Sequence, residues 1–300
     1  MINITFLGTA AHIPTIKKNH SAILLNYQGE NILIDCGEGT QRQFRYAKLN
    51  PCKITRILIS HSHSDHILGL PGLLSTLSLS GYNKTLYIYG PKGIKEKIKE
   101  IIKTFNFKVE YNLQVEEAQG KFFETKEFFI EAKLMEHKTN CNAYSFVKKE
   151  QIRIDKSKLK KSQIPQGPII SQIKEGKNIT YNGKKYLAKN LTYKENAKKI
   201  TIIMDTLFND KIVPFAKNSD LLICEATFLA NSKDGKQLAK EHLHMTAEQA
   251  AKVAKESKSK KLILTHISQR YENKSSELLK ESKKIFKNTK LAEDFDKIQI

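Results

Sequence analysis

The amino-acid sequence predicts a layered α/β fold. Short apolar runs typical of buried strands alternate with helical patterns along the 300 residues, and Gly-rich turns separate them. Three later strands, at residues 200–204, 221–224 and 262–265, each end at a polar residue. Open α/β sheets place their chemistry at such strand ends. The length suits one large layered domain or two smaller ones, and the sequence shows no internal repeat.

The first hundred residues predict strands separated by short helices. In chain order these are strand 4–6, hairpin strands 22–26 and 32–35, helix 41–46, strand 55–60, helix 71–79 and strand 86–89. Thr40 is the predicted N-cap of the first helix. Five apolar residues recur at helical spacing in a further helix and are predicted to be core: Ile94, Ile98, Ile101, Ile102 and Phe105.

The middle of the chain is less regular. Residues 107–135 are mostly extended, with strand patterns at 128–130 and 132–134. Between residues 147 and 199 both helix and strand signals weaken, while Lys, Asn, Gly and Pro accumulate. We interpret 147–199 as an insertion that projects from a single domain spanning residues 1–300.

The most informative motif lies directly after the strand at residues 55–60. It places four side chains that suit Zn²⁺ within six residues: His61, His63, Asp65 and His66. A tight loop leaving a strand can aim neighbouring groups at two adjacent points, so the motif predicts two ions, which together can activate a water molecule. The alternative is a polar loop with incidental histidines.

Three single residues at the ends of apolar runs are the economical choices to complete these ligand sets. His137 completes the ligand set of the first ion, with His61 and His63. His266 completes that of the second ion, with Asp65 and His66. Asp205 bridges the two ions, because a shared carboxylate lowers the net charge of the pair and sets its spacing.

His244 precedes a predicted helix that starts with a capping box, Thr246-x-x-Gln249. A position just outside a helix N-terminus suits anions, so His244 could donate to a phosphate oxygen or protonate a leaving group. Glu225 could orient it. The alternative is that His242 and His244 merely flank the cap.

Composition narrows the class of partner. The net charge is +20, and residues 147–199 hold fifteen Lys or Arg against four Asp or Glu, a net +11 in 53 residues. A concentration of this kind favours a polyanion, although a lysine-rich chain can also simply have a solvated surface. Four scattered cysteines and the absence of a leader pattern predict a cytoplasmic protein. No apolar run approaches the roughly 20 residues of a membrane span.

Taken in order, these pieces resemble the ribonuclease Z family, the tRNA 3′-processing endonucleases of the metallo-β-lactamase superfamily. The segments that carry the resemblance are residues 6–9, Pro14-Thr15 with Asn19, residues 35–41, 61–66, Gly167-Pro168, 204–206, 225–228, His244-x-Thr246 and 264–271. They extend over essentially the whole chain. Two positions depart from the usual family pattern: Lys18 stands in a loop that usually has a Lys and an Arg, and Met204 replaces a common Gly.

The resemblance implies an αββα four-layer sandwich, a homodimer and two Zn²⁺ per subunit, held by the seven residues assigned above. It implies that 147–199 is a flexible arm that binds the elbow of precursor tRNA through Gly167 and Pro168. Lys18 and Asn19 would contact the acceptor end, where Lys18 lacks the planar fork of an arginine.

The activity that follows is hydrolysis of a phosphodiester, which removes the 3′ trailer and leaves a 3′-hydroxyl on the tRNA. Asp65 orients the attacking water, and His244, supported by Glu225, stabilises the transition state or assists the leaving oxygen. Two alternatives stay open. One is a hydrolase of the same superfamily acting on a small ester, thioester or cyclic nucleotide, and the other is a catalytically silent RNA-binding protein.

Overall fold

The computed structural model describes residues 1–165 and 167–300, so Gln166, within the predicted insertion, lies outside the described residues. The chain divides into two compact units. The first, which we call the sheet unit, comprises residues 1–123, 130–146 and 199–300. The second, the basic unit, comprises residues 124–129 and 147–198.

The first part of the chain alternates strands and helices as predicted. Its elements are β1 (Asn3–Gly8), β2 (Ala22–Tyr27), β3 (Glu30–Ile34), α1 (Thr40–Tyr46), β4 (Arg56–Leu58), α2 (Ser64–Ile67), α3 (Leu70–Leu79), β5 (Leu86–Gly90), α4 (Ile94–Thr104), β6 (Leu113–Glu117), β7 (Gly120–Glu124), β8 (Phe128–Met135) and β9 (Cys141–Lys148). A short 3-10 turn, Pro51–Lys53, precedes β4.

The predicted insertion contains regular elements of its own. They are β10 (Gln151–Ile154), α5 (Lys156–Ser162), α6 (Pro168–Lys174), β11 (Ile179–Tyr181), β12 (Lys184–Tyr186), α7 (Ala188–Leu191) and β13 (Thr192–Glu195). The chain then continues with β14 (Lys198–Ile203), α8 (Ile212–Ala216), β15 (Leu221–Glu225), α9 (Gly235–His242), α10 (Ala247–Glu256), β16 (Leu262–Thr265), α11 (Ser275–Lys283), β17 (Thr289–Leu291) and β18 (Lys297–Gln299), with a second 3-10 turn at Gln269–Tyr271.

Two large sheets form the centre of the fold. One has the strand order β18-β1-β2-β3-β4-β5-β6, and the other has the order β17-β16-β15-β14-β9-β8-β7. Strands β1 to β3 are antiparallel, whereas β3 to β6 and β14 to β17 run parallel. The hairpin between β2 and β3 turns at Gln28 and Gly29, whose φ angles of 48° and 87° suit a tight two-residue turn.

Each sheet is covered by helices on one face. Phe44 of α1, Leu73 of α3 and Ile98 of α4 share an apolar cluster with strands β2 to β5. Helices α8, α10 and α11 share a second cluster with β15 and β16. Between the sheets, the Tyr144 hydroxyl donates to the carbonyl oxygen of Ile59 at 2.7 Å. This arrangement of helices, sheet, sheet and helices confirms the predicted αββα layering.

Most predicted elements are confirmed, with two local corrections. Thr40 is the first residue of α1 and not its cap, because Gly39 at φ 76° occupies the capping position and the Thr40 hydroxyl donates to the Gly37 carbonyl. Phe105 ends α4 and is 56% exposed, so it is not a core residue. The helical spacing placed Phe105 on the apolar stripe, but α4 ends at Thr104.

The basic unit has a small apolar core. Leu159, Ile164, Ile173, Ile179, Ala188 and Leu191 are buried together. Strand β10 pairs with β13, and β11 pairs with β12. Although helix and strand signals are weak in this part of the sequence, four short strands and three short helices form among the described residues.

Candidate metal centre

The candidate ligands lie where strands of the sheet unit end. Strands β14, β15 and β16 are parallel neighbours, so their carboxyl ends meet at one edge. Asp205 follows β14, Glu225 is the last residue of β15, and His266 follows β16. His137 lies in the loop between β8 and β9. The segment after β4 supplies the others: His61 and His63 lie in the loop, and Asp65 and His66 lie in the short helix α2.

The structure brings all seven predicted ligands together in two groups. The first contains His61, His63, His137 and Asp205; the second contains Asp65, His66, His266 and Asp205. Within each group, the atoms that could hold an ion lie within 4.8 Å of one another. A third group, formed by Glu225, His244 and His266, shares a histidine with the second.

Asp205 stands between the two groups, as a bridging carboxylate must. Its Oδ2 atom lies 3.5 Å from His61 Nε2 and 3.8 Å from His137 Nε2. Its Oδ1 atom lies 3.2 Å from His266 Nε2 and 3.5 Å from His66 Nε2. Each oxygen therefore faces a different ligand set.

Hydrogen bonds to Nδ1 orient four of the histidines, so that their Nε2 atoms point into the centre. The pairs are His61 with Ser60 Oγ (3.1 Å), His66 with Asp35 Oδ2 (2.7 Å), His137 with the Leu243 carbonyl oxygen (3.0 Å) and His266 with Thr227 Oγ1 (2.9 Å). His63 differs, because its Nδ1 faces the centre, 2.9 Å from His61 Nε2. Partners of this kind set the tautomer and the orientation of a ligand ring.

Burial and charge act strongly on this cluster. Burial lowers the pKa of His61 and of His137. Burial alone would raise the pKa of Asp205, but the surrounding histidines, His266 first, hold it well below its usual range. Burial would lower the pKa of His66, yet the neighbouring carboxylates raise it well above its usual value. The carboxylates therefore stay ionised and favour a cation beside them.

Two observations show that these residues fit metal cations. Among the described residues, the buried Asp205 Oδ1 atom receives no hydrogen bond. His137 donates Nδ1–H to a carbonyl and has a lowered pKa, so its Nε2 presents a lone pair, 3.2 Å from His63 Nδ1. Converging acceptors without donors are costly when buried, and divalent cations would satisfy them. The imidazole and carboxylate donors are those that zinc accepts.

The half-buried His244 lines the cavity over this centre and pairs with the buried Glu225. His244 Nδ1 lies 3.1 Å from Glu225 Oε1. Glu225 in turn accepts from the Thr206 backbone N–H (2.8 Å) and from the Thr227 hydroxyl (2.6 Å). Burial alone would lower the pKa of His244, but Glu225 and Asp205 raise it to about 9. The predicted capping box of α10 is present, and it places His244 just before the helix.

Three residues of the site were not predicted. Asp35 accepts hydrogen bonds from His66 and Ser60. The Thr227 hydroxyl lies within hydrogen-bond distance of His266 Nδ1 and donates to Glu225. His12 lies beside Asp65, with its Nδ1 atom 3.1 Å from Asp65 Oδ1. Asp35 ends an apolar strand, as the assigned ligands do, so that signal was available. His12 carries no local signal, because Asp65 is 53 positions away, and the contact of Thr227 with His266 spans 39 positions.

The predicted substrate-binding residues are not among the candidate ligands, and their roles stay predictions. The Lys18 side chain is buried, donates to the Ala292 carbonyl oxygen (3.2 Å) and pairs with Glu293, so its charge is engaged within the fold. Asn19 donates its side-chain amide to the Glu38 carbonyl oxygen at 2.7 Å. Gly167 and Pro168 are exposed in the basic unit, and Gly167 has φ 151°, which side chains disfavour.

A cavity of about 380 Å³ opens over the metal centre. His63, Asp65, His137, Asp205 and His266 line its floor. His12, Lys138, His244 and Arg270 are among the other lining residues. Cationic and hydrogen-bonding side chains around a pair of ion sites define a centre that can hold an anionic substrate.

Comparison with solved structures shows the class of protein. The chain is similar to human tRNase Z, short form, with 28% identity and a TM-score of 0.72 over 99% of each chain. It is also similar to the metallo-β-lactamase fold protein YhfI from Bacillus subtilis, with 20% identity and a TM-score of 0.69 over 99% of this chain and 98% of that one. The protein therefore has the metallo-β-lactamase fold and a metal-binding centre of that class.

Sequence relatives define the family. Residues 2–211 match the family model described as Anti-Pycsar protein Apyc1. A ribonuclease Z from Nanoarchaeum equitans is 41% identical over 92% of this chain and 86% of its own length. One from Oceanobacillus iheyensis is 40% identical over the full length of both chains. The chain belongs to the ribonuclease Z family, which confirms the resemblance seen in the sequence.

Proposed function

We propose that this protein is a zinc-dependent endoribonuclease that removes the 3′ trailer from precursor tRNA. The observation that carries the proposal is the pair of ligand groups joined by Asp205, in a chain whose full-length relatives are named ribonuclease Z. His61, His63 and His137 would hold one Zn²⁺, and Asp65, His66 and His266 the other. When bound, such a pair supplies Lewis acidity that stabilises phosphoryl charge and lowers the pKa of nearby water.

The protein's own side chains would do the remaining work. The Asp65 carboxylate, 3% exposed, accepts a hydrogen bond from the attacking water and orients it toward phosphorus. His244, with a pKa of about 9, is protonated at neutral pH and can donate to the leaving 3′ oxygen, which stays with the tRNA as a hydroxyl. Glu225 keeps the His244 ring oriented through Nδ1. The trailer would leave with the phosphate.

The basic unit would bind the RNA. It contains a groove of about 930 Å³ lined by Arg153, Lys156, Lys160 and Lys174, with Tyr193 beside them. The three lysines are exposed, and clustered exposed cations attract RNA phosphates. We propose that residues 147–199, with Gly167 and Pro168, form the tRNA-binding arm, and that Asn19 and Lys18 support contacts at the acceptor end.

The proposal includes a homodimer in the cytoplasm. Helices α1 and α3 pack against each other, and Tyr46 and Leu79 at their ends are 63% and 90% exposed. Such apolar exposure would suit contact with a second copy. Sedimentation of the purified protein tests the dimer.

All four cysteines are free thiols, as in a reducing compartment. No helix in the described part of the chain has the length and apolar character to cross a membrane.

The test of function is to incubate the purified protein with a 3′-extended tRNA and to map the cut. We expect a single cleavage that leaves a 3′-hydroxyl on the tRNA. Asp65→Ala should abolish cleavage while leaving RNA binding largely intact, because Asp65 acts on the water and the metal. Unchanged turnover in this variant would remove Asp65 from the mechanism, and no cleavage by the unaltered protein with zinc bound would refute the proposed function.

A further inference from the structure

One side chain at the mouth of the metal cavity contacts a proposed metal ligand from outside. His12 lies in the loop between β1 and β2, and its side chain is 72% exposed. Its Nδ1 atom lies 3.1 Å from Oδ1 of Asp65, whose own side chain is 3% exposed. Because a carboxylate only accepts, the imidazole donates Nδ1–H in this bond.

The two oxygens of Asp65 are divided between different partners. Oδ2 faces the metal centre, 3.1 Å from His66 Nε2 and 3.2 Å from His266 Nε2. Oδ1 faces outward to His12. A bond to the outer oxygen therefore decides which oxygen is turned toward the ion, and it leaves a second lone pair on Oδ1 for water.

The fold holds the His12 loop in place for this contact. The Ala11 backbone N–H donates to the carbonyl oxygen of Ile267, the residue after the ligand His266, at 3.1 Å. The buried His20 donates Nε2–H to the His12 carbonyl oxygen, also at 3.1 Å. The exposed imidazole is thus attached to a backbone that is fixed to the metal centre itself.

We propose that His12 is a positioning residue for Asp65, which sets the orientation of this carboxylate toward the second metal ion. The role rests on the proposed metal centre but not on the identity of the RNA substrate. The other ligand partners, Asp35 and Thr227, are buried, whereas His12 stands at the cavity mouth, where it can be replaced without disturbing the core. Loss of such an outer partner commonly lowers metal affinity or activity about 10- to 100-fold.

The experiment compares H12A, H12N and H12Q with the unaltered protein. An asparagine amide can place an N–H where the imidazole Nδ1–H stands, whereas a glutamine amide reaches one bond further, near Nε2. Zinc retention is measured by titration with a competing chelator, without RNA. We expect H12A and H12Q to lose the more weakly held zinc at about tenfold lower chelator concentration, and H12N to stay close to the unaltered protein.

His242 provides a matched control, since it is an exposed histidine that lines the same cavity. In the described structure its ring stacks on Phe228, and no bond joins it to a proposed ligand. H242A should therefore retain zinc like the unaltered protein. If H12A fails to fold, H12N and H12Q carry the comparison, because both keep a polar side chain at this exposed position.

Kinetics with a 3′-extended tRNA provide a second readout. A positioning role predicts that kcat falls in H12A and H12Q while KM stays constant, and that H12N restores kcat. The proposal is overturned if H12A keeps both zinc retention and kcat, or if KM alone rises with zinc retained, which would make His12 an RNA contact. If the unaltered protein binds zinc but does not cut tRNA, the proposed function fails, and the zinc titration still decides the role of His12.

Discussion

The metal centre of the sheet unit and the basic unit place their charged groups in opposite ways. In the sheet unit, Asp205, His66 and Glu225 are buried and lie against other polar groups of the centre. In the basic unit, most lysines are exposed, and its ion pairs, such as Lys177 with Glu175, lie at the surface. Chemistry on a phosphodiester needs groups held in fixed positions, whereas attraction of a polyanion needs accessible charge.

The difference implies that catalysis and RNA binding can be disabled separately. Substitutions at the metal centre of the sheet unit should change the metal content of the protein and its turnover of any phosphodiester. Substitutions in the basic unit should change only the use of a large RNA.

Asp205→Ala should have the largest effect, because Asp205 belongs to both ligand groups. Loss of several kcal/mol of charge stabilisation corresponds to a decrease in kcat of about 10³-fold or more. Zinc content, measured by atomic absorption, should fall for both sites. Asp205→Asn, which keeps the shape but removes the charge, is the matched variant. A variant that keeps two zinc ions and full activity would exclude Asp205 as the bridge.

Replacing Lys156, Lys160 and Lys174 together by alanine should weaken precursor tRNA binding. Each lost phosphate contact should lower the slope of log affinity against log salt by about 0.7 to 0.9. Binding is measured by filter retention at several salt concentrations. Hydrolysis of a small phosphodiester, such as bis(p-nitrophenyl) phosphate, should be unchanged, because the metal centre is intact.

A matched control for this triple variant is available in the sheet unit. Lys95, Lys99 and Lys103 are exposed on α4, and their joint replacement removes the same net charge. If both triple variants lose RNA affinity equally, binding follows overall charge and not the groove of the basic unit. Equal loss of activity on tRNA and on the small phosphodiester would instead favour a small-molecule hydrolase.

Glu281→Gln should destabilise the sheet unit. The buried Glu281 carboxylate accepts from the backbone N–H groups of Ala230, Asn231 and Glu248, each at 3.0 Å. A glutamine amide would place its NH2 group opposite one of these backbone N–H donors. A buried mismatch of this kind costs about 1–3 kcal/mol of folding free energy. The free energy of unfolding in urea measures the effect. Glu175→Gln, at an exposed ion pair of the basic unit, is the control and should leave the unfolding curve unchanged.

Glu195→Gln should have the smallest effect and should depend on pH. Hydrogen bonds from Arg153 and Lys148 lower the pKa of Glu195 to about 2. A lowered pKa in the folded state stabilises the unit above the unfolded pKa of about 4.3, and this contribution disappears as pH falls toward 2. The protection of the β13 amides from hydrogen exchange, relative to the intrinsic exchange rate at each pH, should therefore decrease over that window in the unaltered protein. The same decrease in the glutamine variant would assign it to another group.

Much of the metal centre was predictable from local sequence. The motif from His61 to His66 concentrates candidate ligands within six residues. Strand ends pointed to Asp205 and His266, because a polar residue that ends a buried run lies at an edge of the sheet. The capping box of Thr246 and Gln249 was equally local, since it spans one helical turn. These signals lie within a few residues, so no tertiary knowledge was needed to detect them.

Other features depended on contacts between distant residues. The inward turn of Lys18 follows from its pairing with Glu293, 275 positions away, and the ordered elements of the basic unit follow from packing of a small core. The predicted Thr40 cap failed because Gly39 can adopt a positive φ angle that threonine disfavours.

By itself, the sequence determined the layered fold, the set of side chains proposed to bind metal and the concentration of positive charge in residues 147–199. The tertiary structure decided which nitrogen of each imidazole faces the centre, how Asp205 divides its oxygens between two ligand groups, and that His12 contacts Asp65. The physical reason is that composition and periodicity specify which groups are buried, whereas hydrogen bonds between residues as far apart as Thr227 and His266 specify their orientation.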